Sequence, residues 1–362
     1  MLWFPSERGL TPALVDLVKA SAKNIHIIMP DWHESYFLPT DRNSLSNIPA
    51  KDIDDLIRFY SKQYPQLYLM GHSRTAELIL NSTHRLQSQG NIKFGGIVLI
   101  SPHLQKEVPA IGSKVSYMNT ALHSNLPIYI FQPQRSTRFV PVQSLVKALQ
   151  TGGSEVYLHP LLNVGGGYQM RGKNHWQGDD KKAREEFPQQ LEKALSVLAI
   201  TDSAPAIKFT EKGKTPYKAL NTDLRKVNLP SPPLALKDLA GEMHTLADYK
   251  GKIVIVSFWA SWCRPCLEEI PSLVALKEKY QGQLEILAAN ILEDKETIDK
   301  FTKSMKINFP ILQAKDAQEI EAWKVYVYPS NFILDKKNKL RYAVTGAIDW
   351  QTDEVSNILA DM

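Results

Sequence analysis

The chain has 362 residues, of which 43% are hydrophobic and 22% charged, and its formal net charge at pH 7 is +5. A chain of this length usually divides into two domains, because one hydrophobic core rarely grows so large. The positive charge is spread along the chain without basic runs, so we expect no nucleic-acid partner. No segment approaches the ~20 consecutive apolar residues that span a bilayer.

The first 200 residues alternate short apolar runs with helical periodicity. We predict strands at 2–4, 25–29, 67–70, 96–100, 128–131 and 156–158. We predict helices at 11–21, 50–63, 75–89, 142–151 and 180–199. Such alternation indicates an α/β domain with a mostly parallel sheet, covered by helices on both faces. Ligands of such sheets bind at the carboxyl ends of the strands.

One predicted strand end carries the sequence Gly71-His72-Ser73-Arg74-Thr75. It resembles the nucleophile elbow of α/β-hydrolases, Gly-x-Ser-x-Gly, with Thr75 in place of the second glycine. The resemblance implies an α/β-hydrolase-like domain over residues 1–200. It implies Ser73 as a possible nucleophile and His175, ahead of the closing helix, as its base. A serine that merely caps the following helix is the alternative.

A hydrolase triad also needs an acid, which should follow the strand at 128–131. Residues 132–138 contain no acidic residue, and Glu155 is the one acid between Val108 and Gly178. Without the acid, a serine protease loses about ten-thousandfold in rate. We therefore expect a degenerate domain that serves as a recognition or scaffold module. An active serine hydrolase and a non-catalytic ligand-binding module remain the alternatives.

The first predicted strand begins at Leu2, whereas hydrolase sheets usually open with an antiparallel pair before this strand. Residues 1–5 also show neither the charged n-region nor the long apolar h-region of a signal peptide. We expect the true start to lie upstream, with an export signal. A cytoplasmic protein is the alternative.

Residues 201–228 are polar and proline-punctuated, which predicts an interdomain linker. Residues 229–362 then form the second predicted domain. Its predicted strands lie at 234–236, 244–246, 254–259, 284–289, 331–334 and 340–344. Its predicted helices lie at 270–280, 296–305, 317–323 and 353–359.

The chain has two cysteines, Cys263 and Cys266, between an apolar strand and a helical segment. A thiol in the first turn of a helix faces free backbone N–H groups and the positive end of the dipole. We expect Cys263 to ionise more readily than a free cysteine, whose pKa is about 8.5, and to be the attacking thiolate. Cys266 would resolve the mixed disulfide. The alternatives are a structural disulfide, or a zinc site that needs further ligands such as His244.

The sequence Trp262-Cys263-Arg264-Pro265-Cys266 after an apolar strand, with Pro329 far downstream, resembles the TlpA/ResA-like disulfide reductases of the thioredoxin fold. The resemblance covers roughly the last 130 residues. It implies a redox-active disulfide between the cysteines, proton transfer assisted by Glu269, and a cis-proline loop at Pro329. Ser257 stands where thioredoxins usually have a buried aspartate.

The resemblance therefore implies a thiol-disulfide oxidoreductase that serves cell redox homeostasis by reducing disulfides in client proteins. It implies a membrane electron donor and a periplasmic or other extracytoplasmic location. We expect neither a cofactor nor a metal. The sequence itself does not determine the direction, because dithiols near −270 mV reduce disulfides and those near −120 mV form them.

Overall fold

The computed structural model describes residues 1–41, 43–89, 92–107, 109, 113–204, 222–303 and 305–362. The chain divides into two compact units, one of Met1–Glu107 and Val115–Tyr217 and one that includes Lys218–Met362. Each unit has its own sheet with helices, so the predicted α/β class is confirmed. Most of the predicted linker lies outside the described residues.

The first unit contains a five-stranded parallel sheet with the strand order β1-β2-β3-β4-β5. The strands are β1 Leu2–Phe4, β2 Leu67–His72, β3 Phe94–Ile100, β4 Ile128–Arg135 and β5 Val156–Gly165. Because all five strands run in the same direction, their carboxyl ends share one edge of the sheet. The loops after β1, β2, β3 and β4 are therefore neighbours.

Helices cover both faces of this sheet. They are α1 Pro12–Ser21, α2 Trp32–Ser35, α3 Ala50–Gln63, α4 Thr75–Gln89, α5 Asn119–Leu122, α6 Val142–Thr151 and α7 Asp180–Ala199. Along β1, Leu2 and Phe4 pack into the core beneath α3, α4 and α6, while Trp3 packs into the core beneath α1 and α7. This period of two places one hydrophobic core on each face, as the alternating pattern predicts.

The strand predicted at 25–29 is wrong, since only Ile28 forms a bridge, parallel to Leu2. Ile28 donates its N–H to the carbonyl of Met1 and accepts from the N–H of Trp3. The pairing ends there because β1 has three residues and Pro30 has no N–H to extend the ladder.

The second unit contains an eight-stranded mixed sheet in the order β6-β13-β12-β9-β10-β11-β7-β8. Its strands are β6 Arg225–Leu229, β7 Ala235–Asp238, β8 Met243–Thr245, β9 Ile253–Trp259, β10 Leu284–Ile291, β11 Ile311–Ala314, β12 Ser330–Leu334 and β13 Leu340–Thr345. Its helices are α8 Arg264–Lys279, α9 Lys295–Thr302, α10 Ala317–Ala322 and α11 Asp353–Ala360. The central strands β9, β10 and β11 are parallel, and β12 is antiparallel to β9.

Two elements of the second unit differ from their predicted ranges. Helix α8 extends from Arg264, with Cys263 as its cap and Pro265 in its first turn, so the cysteines lie at its first turn as expected, whereas the predicted helical range is 270–280. Strand β6 begins inside the range predicted as linker and pairs with β13. Because β6 is an edge strand, its sequence alternates little between polar and apolar residues, so this pattern did not reveal a strand.

Candidate functional site

Cys263 and Cys266 form a disulfide at the N-terminus of α8, at the carboxyl end of β9. Cys263 is 6% exposed and Cys266 is 1% exposed. The backbone N–H of Cys266 donates to Sγ of Cys263 at 3.3 Å. The first turn of the helix therefore directs an N–H at the Cys263 sulfur, which stabilises a thiolate there after reduction of the disulfide.

Glu293 fastens the segment that precedes the disulfide. Its carboxylate accepts from the N–H of Ser261 at 2.7 Å, from the Ser261 hydroxyl at 2.5 Å and from Nδ2 of Asn290 at 2.8 Å. Because Asn290 belongs to β10, these bonds tie the cysteine loop to the neighbouring strand. Sequence reasoning missed Glu293, although an acid directly after a buried strand, at the carboxyl edge of the sheet, was a usable signal.

The Tyr328–Pro329 peptide bond is cis, as the resemblance implies. Pro329 directly precedes β12, whose first residue Ser330 pairs with Phe258 of β9. The ring of Trp262 lies edge-on to that of Tyr328, with 5.8 Å between the centroids. The cysteine loop and the cis-proline loop are therefore neighbours.

Glu269 lies on α8, one turn after Cys266, and is 2% exposed. Its carboxylate accepts from Nδ2 of Asn331 at 3.0 and 3.2 Å, from the N–H of Ile348 at 3.1 Å and from Nε1 of Trp350 at 2.8 Å. Burial raises the pKa of Glu269 to about 7, although these donors favour the charged form. A carboxyl group with such a pKa can accept and release a proton at neutral pH.

A small enclosed cavity of about 10 Å³ connects Glu269 with the disulfide, since Cys266, Glu269 and Ser257 all line it. Ser257, on β9, lies opposite Asn331 of β12. The position where the thioredoxin pattern has an aspartate therefore faces the same cavity as Glu269. The helix supplies the buried carboxyl group that the strand lacks.

In the first unit, Ser73 lies in the turn between β2 and α4 with φ of 56°, a left-handed conformation that is uncommon for serine. The hydroxyl of Thr75 accepts from the N–H of His72 and donates to its carbonyl, both at 2.8 Å. A Cβ on Gly71 would lie 2.5 Å from this hydroxyl. Thr75 thus fixes the turn, and Gly71 provides the space that it needs.

The partners of Ser73 are not those of a hydrolase triad. Its hydroxyl donates to Oε1 of Glu7 at 3.4 Å and accepts from Nη2 of Arg138 at 3.3 Å. Glu7 follows β1, and Arg138 lies in the loop after β4. His175 is exposed in the short 3-10 helix Lys173–His175, and no hydrogen bond among the described residues joins it to Ser73. The structure therefore does not bring the two predicted residues together.

His72, next to Ser73, is buried and neutral. Burial, with Arg138 and Arg8 nearby, lowers the pKa of His72 to about 3. Its Nε2 lies 3.1 Å from Sδ of Met170, and the hydroxyl of Ser6 donates to the same sulfur at 3.3 Å. An apolar side chain thus packs beside the elbow, on the segment that leads to His175.

The residues that could hold a metal have other partners. His244 contacts the hydroxyl of Tyr249 and, at 3.2 Å, the carboxylate of Asp238, while both cysteines lie in the disulfide. No group of three or more His, Cys, Asp or Glu side chains within the described ranges is placed to bind a metal. Nor does any described helix combine the length and apolarity needed to cross a bilayer.

A Cys-x-x-Cys disulfide at a strand-to-helix junction, beside a cis-proline loop on a mixed sheet, defines the thiol-disulfide oxidoreductases of the thioredoxin fold. Residues 227–343 match the AhpC/TSA family. The thiol-disulfide oxidoreductase ResA of Geobacillus thermodenitrificans is 37% identical over 139 residues, which cover 38% of this chain and 80% of that relative. The chain therefore belongs to the ResA family of thiol-disulfide oxidoreductases, and it is an enzyme of this class.

Two further comparisons concern the same part of the chain. The ResA of Bacillus subtilis is 33% identical over 139 residues, which cover 38% of this chain and 78% of that relative. A solved thiol:disulfide interchange protein of the thioredoxin family, from Chlorobium tepidum, is 23% identical. Its alignment covers 37% of this chain and 97% of the other, with a TM-score of 0.33.

The pKa of Glu269 predicts how stability depends on pH. Between its usual value of about 4.3 and about 7, the folded state binds more protons than the unfolded state, so the unfolding free energy falls as pH rises. Glu269→Gln removes this fall. Relative to the unaltered protein, we expect the variant to gain roughly 2 to 3 kcal/mol between about pH 5 and about pH 8.

Urea unfolding of the oxidised protein across this pH range measures the difference. The control is Glu278→Gln, an exposed glutamate on the same helix, which should leave the pH profile unchanged. Parallel profiles for Glu269→Gln and the unaltered protein would contradict a raised pKa.

Proposed function

We propose that this enzyme reduces disulfides in client proteins, with Cys263 as the attacking thiolate and Cys266 as the resolving thiol. The observation that carries the proposal is the cavity that Cys266 and Glu269 share, because Cys266 is bonded to a Cys263 sulfur that accepts an N–H from the first turn of α8. In this proposal the first unit is a recognition or scaffold module.

The proposed reaction has two steps. The thiolate of Cys263 attacks a client disulfide, a mixed disulfide forms, and one client thiolate leaves. The carboxylate of Glu269 then takes the proton of the Cys266 thiol, and the Cys266 thiolate attacks Sγ of Cys263. The second client thiolate leaves, so two electrons pass from the dithiol to the client. The cis-proline loop at Pro329, beside Trp262, is where the client strand would lie.

The position of Glu269 supports the reducing direction. Strong oxidants of this fold have a stabilised reduced form, in which a thiolate is strongly favoured. A buried carboxylate on the same cavity as Cys266 disfavours a second negative charge there. The reduced form is therefore stabilised only at the Cys263 thiolate and not at Cys266, so we expect the dithiol to give up its electrons more readily than that of a strong oxidant.

The proposed location is the periplasm or another extracytoplasmic space. Structural disulfides persist in clients there, whereas cytosolic thiols are kept reduced. Each turnover leaves Cys263 and Cys266 oxidised, so an electron donor has to reduce them again. We propose a membrane protein as this donor, in line with the resemblance to the TlpA/ResA-like reductases.

The roles of the two cysteines predict opposite results for their serine variants. With a disulfide-linked test peptide, Cys266→Ser should accumulate a covalent adduct at Cys263, because the resolving thiol is missing. Cys263→Ser is the matched control and should form no adduct. Intact mass spectrometry measures both. An adduct of equal yield on Cys263→Ser would contradict the assignment of the attacking cysteine.

The direction of the reaction predicts the reduction potential. We expect a midpoint near −270 mV, as in thioredoxin, and far from the −120 mV of a strong oxidant. Equilibration with reduced and oxidised dithiothreitol, followed by trapping of the free thiols, measures the potential. A midpoint near −120 mV would instead assign the enzyme to disulfide formation.

Hydrolysis of an ester or peptide at Ser73 is the second candidate function. The left-handed φ of Ser73 favours it, because a strained turn of this kind presents the serine in hydrolases. The base would then be Glu7, which accepts the Ser73 hydroxyl, and not His175. The carboxyl ends of β1, β2 and β4 nevertheless place Glu7, Ser73 and Arg138 where such sheets bind ligands, which also supports recognition without catalysis.

A fluorophosphonate probe distinguishes hydrolysis from recognition in the first unit. We expect no adduct at Ser73, because Arg138 donates to its hydroxyl and the residue is 7% exposed. Mass spectrometry of the probe-treated protein is the measurement, with Ser73→Ala as the control. A stoichiometric adduct that is absent from Ser73→Ala would establish an activated serine.

A further inference from the structure

A second pocket, open to solvent and about 480 Å³ in volume, lies on the other side of Glu269. Besides Glu269, its lining includes Glu268, Pro271, Ser272, Ala347, Asp349 and Gln351. These residues belong to α8 and to the segment that follows β13. Neither cysteine lines this pocket, and neither does any residue of the cis-proline loop.

Glu269 is the residue that the two linings share. On one side it meets the enclosed cavity of Cys266 and Ser257, and on the other it meets the open pocket. Its own bonds fix it in this position, since Asn331, Ile348 and Trp350 all donate to Oε1. Ser272 links the two segments that line the open pocket, because its hydroxyl donates to the carbonyl of Glu269 on α8 and accepts from the N–H of Trp350 after β13.

The disulfide face offers the proton of Glu269 a poor path to solvent. Cys263 is 6% exposed, Cys266 is 1% exposed, and the cavity behind them holds about 10 Å³. A client joined to Cys263 in a mixed disulfide covers this face further. Because neither cysteine lines the open pocket, its opening to water does not depend on that face.

We propose that the open pocket is the route by which Glu269 exchanges its proton with solvent. This inference rests on the proposed role of Glu269 as the proton acceptor of Cys266. The S–H bond of Cys266 breaks and an O–H bond forms at the Glu269 carboxyl group. That O–H bond then breaks, and the proton passes to water or a small base in the pocket. No electrons move in this second transfer.

Titratable groups line both spaces beside Glu269. Cys266 lines the inner cavity, while Glu268 and Asp349 line the open pocket. The carboxylate of Glu268 is paired with Arg264 at 2.8 Å, and that of Asp349 accepts from the N–H of Gln351 at 3.0 Å. The pocket is also large enough for a base of the size of imidazole.

A pH jump on the oxidised enzyme tests the route without any turnover. Trp350 reports on Glu269, because its Nε1 donates to the carboxylate at 2.8 Å. A stopped-flow jump from about pH 5.5 to about pH 8.5 crosses the pKa of about 7, and tryptophan fluorescence follows the deprotonation. Trp350→Phe and Glu269→Gln should each remove this signal, which assigns it.

Ala347→Phe narrows the pocket without altering a donor to Glu269 and adds no tryptophan to the fluorescence signal. We expect deprotonation to slow by about tenfold or more in this variant. We also expect added imidazole to accelerate it in the unaltered protein and not in the variant. Ala322→Phe, at an exposed position on α10, is the matched control and should behave like the unaltered protein.

Equal rates and equal imidazole dependence in Ala347→Phe and the unaltered protein would overturn the proposal. If Ala347→Phe changes the amplitude of the signal, Gln351→Phe, at an exposed position of the lining, decides by the same criteria. The proposed function has a separate test, the rate at which Glu269→Gln reduces a test peptide disulfide. An unchanged rate there would refute Glu269 as the proton acceptor, whereas a failed pH-jump test refutes only the route.

Discussion

The buried carboxylate of Glu269 joins three parts of the second unit that are far apart in the sequence. Through Asn331 it binds β12, and through Ile348 and Trp350 it binds the segment after β13, while it sits itself on α8. A buried carboxylate without such donors would be too costly to keep in a fold. The donors therefore make burial possible, and burial in turn makes the group titrate near neutral pH. The catalytic helix and the cis-proline strand are held together by the group that is proposed to serve the chemistry.

Much of this architecture could be predicted because its signals are local. The five helices predicted in residues 1–200 match α1, α3, α4, α6 and α7 closely, since each carries a complete apolar stripe at helical spacing. The redox role of the two cysteines could also be predicted, because a Cys-x-x-Cys motif after a fully buried strand such as β9 is typical of a redox-active dithiol. The failures lie where the structure depends on a neighbour. Strand β6 was not predicted because it is a polar edge strand that forms by pairing with β13. The strand predicted at 25–29 does not form, because β1, its neighbour, has only three residues and pairs with Ile28 alone.

In the candidate sites, too, the key residues could be predicted from the sequence, whereas their hydrogen-bond partners, which are distant in the sequence, could not. The resemblance to the TlpA/ResA-like reductases implies Glu269, but its donors Asn331 and Trp350 are 62 and 81 residues away, and no local pattern points to them. In the first unit, the turn at Ser73 has a left-handed φ, although Thr75 stands where the hydrolase pattern has a glycine. A hydroxyl that bridges the N–H and carbonyl of His72 fixes that turn. The partners of Ser73, Glu7 and Arg138, come from other strand ends, so only the assembled sheet identifies them.

In this chain the buried acid is Glu269 on helix α8, whereas the thioredoxin pattern has an aspartate on the strand, at the position of Ser257. This difference affects how the acid exchanges its proton with solvent. A carboxyl group at the position of Ser257 would project from β9, a strand buried along its whole length, into the cavity that Cys266 lines. On α8, the carboxyl group of Glu269 lies between the cysteine cavity and the outer pocket. The side that receives the proton of Cys266 is then different from the side that meets water. Client binding at the disulfide and proton exchange with solvent can therefore proceed on different faces of one helix.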